Sequence, residues 1–144
     1  MKLVDANLLL YAIDSSAPRH DRARRWLERE LSGTDTIGLS WSMLLAFLRL
    51  ATSSRVFASP LDAADAFSIV DGWLAQPNVA VVQPTDRHLA LMRELLAPLG
   101  TAGNLVTDAH LAALAVEHSA QLCSSDSDFA RFPGVRWVDP LARA

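Results

Sequence analysis

Cysteine is almost missing from this chain: Cys123 is the only one in 144 residues. That excludes an internal disulfide and any zinc site built on cysteines. Lysine is as scarce, since of the 13 basic residues only Lys2 is not arginine. No apolar run approaches the ~18 residues that a membrane-crossing helix needs. The longest, at 8–13, 44–48 and 111–116, each stop at a charged residue. Asp5 and Asn7 interrupt what would be the apolar region of a signal peptide, so the expectation is an unprocessed, cytoplasmic chain without membrane contact. No repeat, linker or low-complexity tract is present, and 51% apolar against 20% charged residues excludes a disordered tail protein. The formal net charge of −3 argues against a surface coated in basic groups for nucleic acid.

The length predicts one domain over residues 1–144, able to bury ~70% of the surface its unfolded form exposes. Along it, short apolar strands alternate with helices. Strands are expected at 2–4, 36–40, 79–82, 121–124 and 135–138. A short helix can follow Asp5. An amphipathic helix of about four turns is expected after Pro18, with Ser15 or Ser16 as cap and Ala23, Trp26, Leu27 and Leu31 facing inward. The stretch 41–52 reads as an apolar helix buried on most sides, with Arg49 its only charge. Further helices are expected at 60–74, after Thr85 or Asp86, and from Asp108 to about residue 119. This alternation predicts an α/β fold: a three-layer α/β/α sandwich around a mainly parallel sheet of about five strands.

Open sheets of this kind place their sites at the carboxyl ends of the strands. Asp5 follows the first strand, Ser40 the second, and Ser125, Asp126 and Asp128 the fourth, while Asp108 opens a helix that can point into the same crevice. Each aspartate alone has an ordinary explanation as a helix cap, and Asp128 as a turn closer. Their joint position is less ordinary. Carboxylates gathered in a crevice repel one another, and burial adds to the cost. A hard divalent cation relieves both; Mg²⁺ or Mn²⁺ prefers oxygen ligands and keeps waters for substrate or nucleophile. No phosphate-cradling glycine loop, Ser-His-acid order or His-x-x-x-His pair competes. A phosphoacceptor aspartate would want a lysine partner, and Lys2 is the only lysine.

Three segments carry a family resemblance: Val4-Asp5-Ala6-Asn7, the run from Thr107-Asp108-Ala109-His110 to Ala115, and Ser124-Ser125-Asp126-Ser127-Asp128-Phe129. In this order they resemble the PIN-domain nucleases, and within them the VapC ribonuclease toxins of type II toxin–antitoxin modules. Trp41, with Phe47-Leu48-Arg49 and Ala51-Thr52, resembles a subgroup of these toxins. The resemblance spans residues 1–140. It implies an α/β/α sandwich and a metal-dependent endoribonuclease that hydrolyses RNA with metal-activated water, the ribose 3′ oxygen leaving. Asp5, Asp108 and Asp126 would be catalytic, and together with Asp128 would hold one or two Mg²⁺ or Mn²⁺ ions. Asn7 and Asn104 would line the pocket beside Ser125. A cognate antitoxin protein and a homodimer are the implied partners.

One departure stands out. The family usually carries a glutamate six residues past the serine after the second strand; counted from Ser40, that position is Ala46. A degenerate, non-catalytic module that binds RNA or a partner protein is therefore the alternative reading. Arg19, Arg22, Arg24, Arg25 and Arg29 are the expected phosphate contacts, with a solvated face paired to Asp21, Glu28 and Glu30 as the plainer explanation. Sequence-specific proteins read RNA mostly at unpaired loops, which points to a structured RNA such as tRNA or rRNA. His110, two positions past Asp108, is expected to point away from the acids. Arg49 needs an acidic partner or an exit to solvent.

Overall fold

A computed structural model describes residues 1–142. Alternation of short apolar runs with helical periods gives the order β1 (Lys2–Val4), α1 (Ala6–Ile13), α2 (His20–Leu31), β2 (Ile37–Leu39), α3 (Trp41–Ala51), α4 (Ala63–Leu74), β3 (Val79–Val81), α5 (His88–Leu96), α6 (Val106–Glu117), β4 (Gln121–Cys123) and β5 (Trp137–Val138). Every strand pairing is parallel, and the spatial order is β3-β2-β1-β4-β5. The five-stranded α/β/α sandwich expected from the sequence is the fold observed.

The two-residue side-chain period of a strand divides the core. Leu3 and Leu122 face one side, where they pack with Leu91 and Leu95 of α5 and Leu111 and Leu114 of α6. Val4 and Cys123 face the other, with Trp26 and Leu27 of α2, Phe47 of α3 and Trp73 of α4. Phe47 and Trp73 meet edge to face, their ring centroids 4.7 Å apart. Gly38 sits where a Cβ would meet the Met1 sulfur at 3.2 Å and a Val82 methyl at 3.3 Å, so a side chain there would require these neighbours to shift by a few tenths of an ångström.

The chain moves outward from β1 through β2 to β3, then returns to β1's other side for β4 and β5. The switch lies between β1 and β4, and doubly wound sheets open a crevice above such a point. Asp5 and Ser124 are the residues that follow these two strands.

Several local expectations are corrected. Neither Ser15 nor Ser16 caps α2, which starts at His20 with no side-chain cap; Ser16 instead bonds Asp14 through its backbone and hydroxyl. Helix α4 starts at Ala63 rather than Pro60. Asp108 is not a cap but lies in the first turn of α6, whose capping residue is Leu105. Helix α3 is less buried than its composition implies: Trp41 is 47% and Leu45 59% exposed, because only Met43, Leu44, Phe47 and Ala51 turn inward. Arg49 takes the exit to solvent and makes no ion pair among the described residues. No helix of the described residues is long and apolar enough to cross a membrane.

Candidate metal centre

Asp5 ends β1 and opens α1. Its backbone N–H still donates to Cys123 O of β4 at 3.0 Å, and its Oδ1 accepts from the Ala6 N–H at 2.7 Å, capping the helix. Capping occupies one oxygen only. The other, Oδ2, accepts from the Ser124 hydroxyl at 2.6 Å. Ser124 is fully buried and is the hub of the crevice. Its Oγ donates to Asp5 and accepts from the Asp126 N–H at 3.0 Å and from Asn7 Nδ2 at 3.2 Å. Asn7 Oδ1 in turn accepts from the Ser125 N–H at 3.4 Å. The Trp137 indole N–H of β5 donates to Ser124 O at 3.0 Å and fixes the strand end from its far side.

Beyond Ser125 the chain makes a 3-10 helical turn, Ser127–Arg131, capped by Asp126 Oδ1 on the Asp128 N–H at 2.9 Å. Phe129 and Phe132 anchor this turn in the core. The turn returns Asp128 toward the crevice, and α6 brings Asp108 from another part of the chain. Asp108, Asp126 and Asp128 each present an oxygen so that all three lie within 4.8 Å of one another. Asp108 and Asp126 are half-buried and Asp128 is exposed.

Among the described residues no arginine, lysine or histidine pairs with Asp5, Asp108, Asp126 or Asp128. The acid cluster is therefore uncompensated. Burial, then repulsion from Asp126, Asp5 and Asp128, pushes Asp108 up to about 6. Burial also raises Asp5, against the hydrogen bonds from Ser124 and Ala6, and Asp126 adds to the rise. Three convergent hard-oxygen donors, without an organic counter-charge and repelling one another, suit a divalent cation. The donor set contains no nitrogen or sulfur, which favours Mg²⁺ or Mn²⁺ over softer metals.

The structure thus brings Asp5, Asn7, Asp108, Ser125, Asp126 and Asp128 into one crevice. Asn104 is not joined to them: it is exposed in a 3-10 turn before α6 and makes no side-chain hydrogen bond among the described residues. The expected arginines divide. Arg19 pairs with Asp139 at 3.5 Å and Arg22 donates to Ala142 O at 3.2 Å, so both tie α2 to the C-terminal segment. Arg24, Arg25 and Arg29 are exposed, Arg24 within 3.6 Å of Glu28. His110 points away from the acids, onto His88 and Ser42. Sequence reasoning assigned no role to Ser124. The signal was present: Ser124 closes the expected strand 121–124, directly ahead of the acidic segment.

The PIN domain family model matches residues 2–135. The chain is 51% identical over 142 residues to Ribonuclease VapC37 of Mycobacterium tuberculosis, covering 99% of each. It is 48% identical over 141 residues to Ribonuclease VapC33 of the same species, covering 98% of this chain and 99% of that one. In fold it is similar to VapBC2 from Rickettsia felis, a structure with a promoter DNA fragment, at a TM-score of 0.70 and 21% identity over 95% of this chain and 96% of that one. It is also similar to the Mycobacterium tuberculosis toxin VapC20, described as cleaving the sarcin-ricin loop, at a TM-score of 0.63 and 20% identity over 94% and 99%.

Proposed function

The chain belongs to the PIN-domain family, and on that premise we propose that it is an endoribonuclease, the toxin of a type II toxin–antitoxin pair, dependent on Mg²⁺ or Mn²⁺. The observation that carries the reading is the uncompensated convergence of Asp108, Asp126 and Asp128 beside Asp5 at the strand switch. The ribonuclease names of relatives sharing about half of its residues support it.

Asp5, Asp108, Asp126 and Asp128 would hold the ion. When bound, such an ion supplies acidity to water and neutralises charge on a phosphodiester. Ser124 fixes one oxygen of Asp5 while the helix cap occupies the other. Asn7 and Ser125 close the wall of the crevice. Arg24, Arg25 and Arg29 offer phosphate contacts on the exposed face of α2. The substrate would be a structured RNA such as tRNA or rRNA, read at an exposed loop. A cognate antitoxin would cover the crevice, and two copies of the chain would pair. The VapBC complexes among the structural neighbours support the antitoxin.

Ala46 favours the alternative of a degenerate binding module, because no carboxylate occurs in α3. Cleavage of total cellular RNA by purified protein, freed of any partner, separates the two. Discrete products that need Mg²⁺ or Mn²⁺, stop with EDTA and vanish in Asp108→Asn are expected. No products from folded protein on any RNA would transfer the reading to the binding module.

A further inference from the structure

A strand that brings one phosphate to the acid cluster brings its neighbours too. An ion at the acids answers the charge on the scissile phosphate, and the flanking phosphates still face a group of uncompensated carboxylates. The segments that carry the acids offer little against that repulsion. Asp5 and the helix α1 behind it include no basic residue, and α6 has only His110, which is turned onto His88 and Ser42. In the run from Ser124 to Arg131 only the last residue is basic. Arg131 is therefore the one permanent cation in the three segments.

The turn sets where Arg131 stands. Residues Ser127–Arg131 form a 3-10 helix, in which side chains three positions apart share a face. The burial follows that period. Phe129 and Phe132 are 1% and 2% exposed and both point into the core, the Phe132 N–H donating to Phe129 O at 3.2 Å. Ser127 and Ala130 are both exposed on a second face. Asp128 and Arg131 make the third pair, and both are exposed. Asp128 sets an oxygen within 4.8 Å of oxygens of Asp108 and Asp126. Arg131 leaves the same face one turn on, about 6 Å along the axis. Its stem is long enough to span that separation, and the two phenylalanines hold the turn in place. Arg131 nonetheless makes no ion pair among the described residues, with Asp128 or with any other acid. Its five N–H donors are thus not taken up by a carboxylate.

We propose that Arg131 binds the phosphate next to the scissile one, and so fixes the register of the RNA strand on the acid cluster. The proposal rests on the ribonuclease reading. One face of the turn then carries an acid for the ion and, one turn away, a cation for the strand, a separation comparable to one sugar–phosphate repeat. A guanidinium suits the task because its planar fork gives a phosphate two parallel N–H···O bonds. Arg24, Arg25 and Arg29 lie on α2, a different element, and attract the strand without setting its register. Arg131 touches the substrate away from the reacting atoms; it is a binding residue and not a catalytic one.

The test uses a single-stranded oligoribonucleotide that spans a cut site mapped in total cellular RNA. Linkages flanking the cut are made neutral one at a time, as methylphosphonates on a 2′-O-methyl residue, with the charged 2′-O-methyl linkage as control. In the wild type, one flanking position is expected to slow single-turnover cleavage about tenfold, the worth of one charge-assisted hydrogen bond. Arg131→Gln should slow cleavage of the charged control by about the same factor and no longer distinguish the two linkages there. Arg131→Lys should recover part of the rate, since it restores the charge without the fork. In the Asp108→Asn background, Arg131→Gln should make the slope of log affinity against log salt shallower by about 0.7, one contact on a single strand. Calorimetric Mn²⁺ affinity of Arg131→Gln should hold or rise. Full sensitivity to the neutral linkage in Arg131→Gln, no sensitive flanking position in the wild type, or lost Mn²⁺ binding in folded Arg131→Gln overturns the proposal. A wild type that cuts no RNA, or an Asp108→Asn protein that cuts as well as wild type, would instead contradict the ribonuclease reading, so the two failures are distinguishable.

Discussion

Ser124 Oγ stands 2.6 Å from Asp5 Oδ2, so a fully buried hydroxyl from the end of β4 orients the carboxylate at the end of β1. The same oxygen takes the Asp126 N–H and Asn7 Nδ2, and so joins both halves of the crevice.

Ser124→Ala leaves those two donors and one carboxylate oxygen without their partner. Stability is expected to fall by about 1–3 kcal/mol, the cost of unsatisfied buried polar groups. Mn²⁺ affinity is expected to fall about 10–100-fold, as for other partners that orient a ligand. Thermal unfolding and calorimetric titration read the two effects separately.

Asp108 carries a pH signature. Its folded-state pKa, raised to about 6 by burial and then by Asp126, Asp5 and Asp128, lies above that of the unfolded chain. A raised carboxylate contributes stability that is complete in acid and is lost as pH rises through about 6. In metal-free protein, Asp108→Asn should therefore stabilise at pH 8, by about 1 kcal/mol after solvent screening is allowed for. The gain should disappear at pH 4. Addition of Mn²⁺ at pH 8 should stabilise the wild type and not the variant. Unfolding curves at the two pH values check it.

Arg24, Arg25 and Arg29 are the exposed cations of α2. Their joint replacement by glutamine should weaken binding of unrelated single-stranded RNAs alike. The slope of log affinity against log salt should become shallower by about 2, three contacts at about 0.7 each. Arg19→Ala should act on stability through Asp139 rather than on that slope.

Ala46 is partly buried against the core cluster that includes Ala6, the neighbour of Asp5. Ala46→Glu should cost the metal-free protein about 1–3 kcal/mol for a poorly solvated carboxylate. Mn²⁺ should recover part of that loss, and the variant should take up more of the ion than wild type. Calorimetric stoichiometry measures this.

The strand-end rule found Asp5, Asp126 and Asp128 in the sequence because those positions follow from chain direction alone. The sandwich was legible because short, continuous apolar runs, as strands buried on both faces require, alternate with helical periods. Asp108 was legible as a helix opener, though its place inside the first turn, rather than at the cap, emerged only with the structure. What stayed hidden depended on packing between distant elements. His88 meets His110 across 22 residues, and Asn7 meets Ser124 across 117. Helix α3, apolar nearly all round, gave no periodic sign that Trp41 and Leu45 face outward. Arg19 and Arg22 looked like Arg24 and Arg25 until the C-terminal segment was seen to engage them.

The most direct test is calorimetric titration of Mn²⁺ into metal-free wild type, Asp5→Asn, Asp108→Asn, Asp126→Asn and Asp128→Asn, each shown to be folded. A single set of sites in the wild type is expected, abolished or greatly weakened in Asp5→Asn, Asp108→Asn and Asp126→Asn and reduced in the exposed Asp128→Asn. Unchanged binding in folded Asp108→Asn and Asp126→Asn, or no binding by the wild type, would contradict a metal centre at the strand switch.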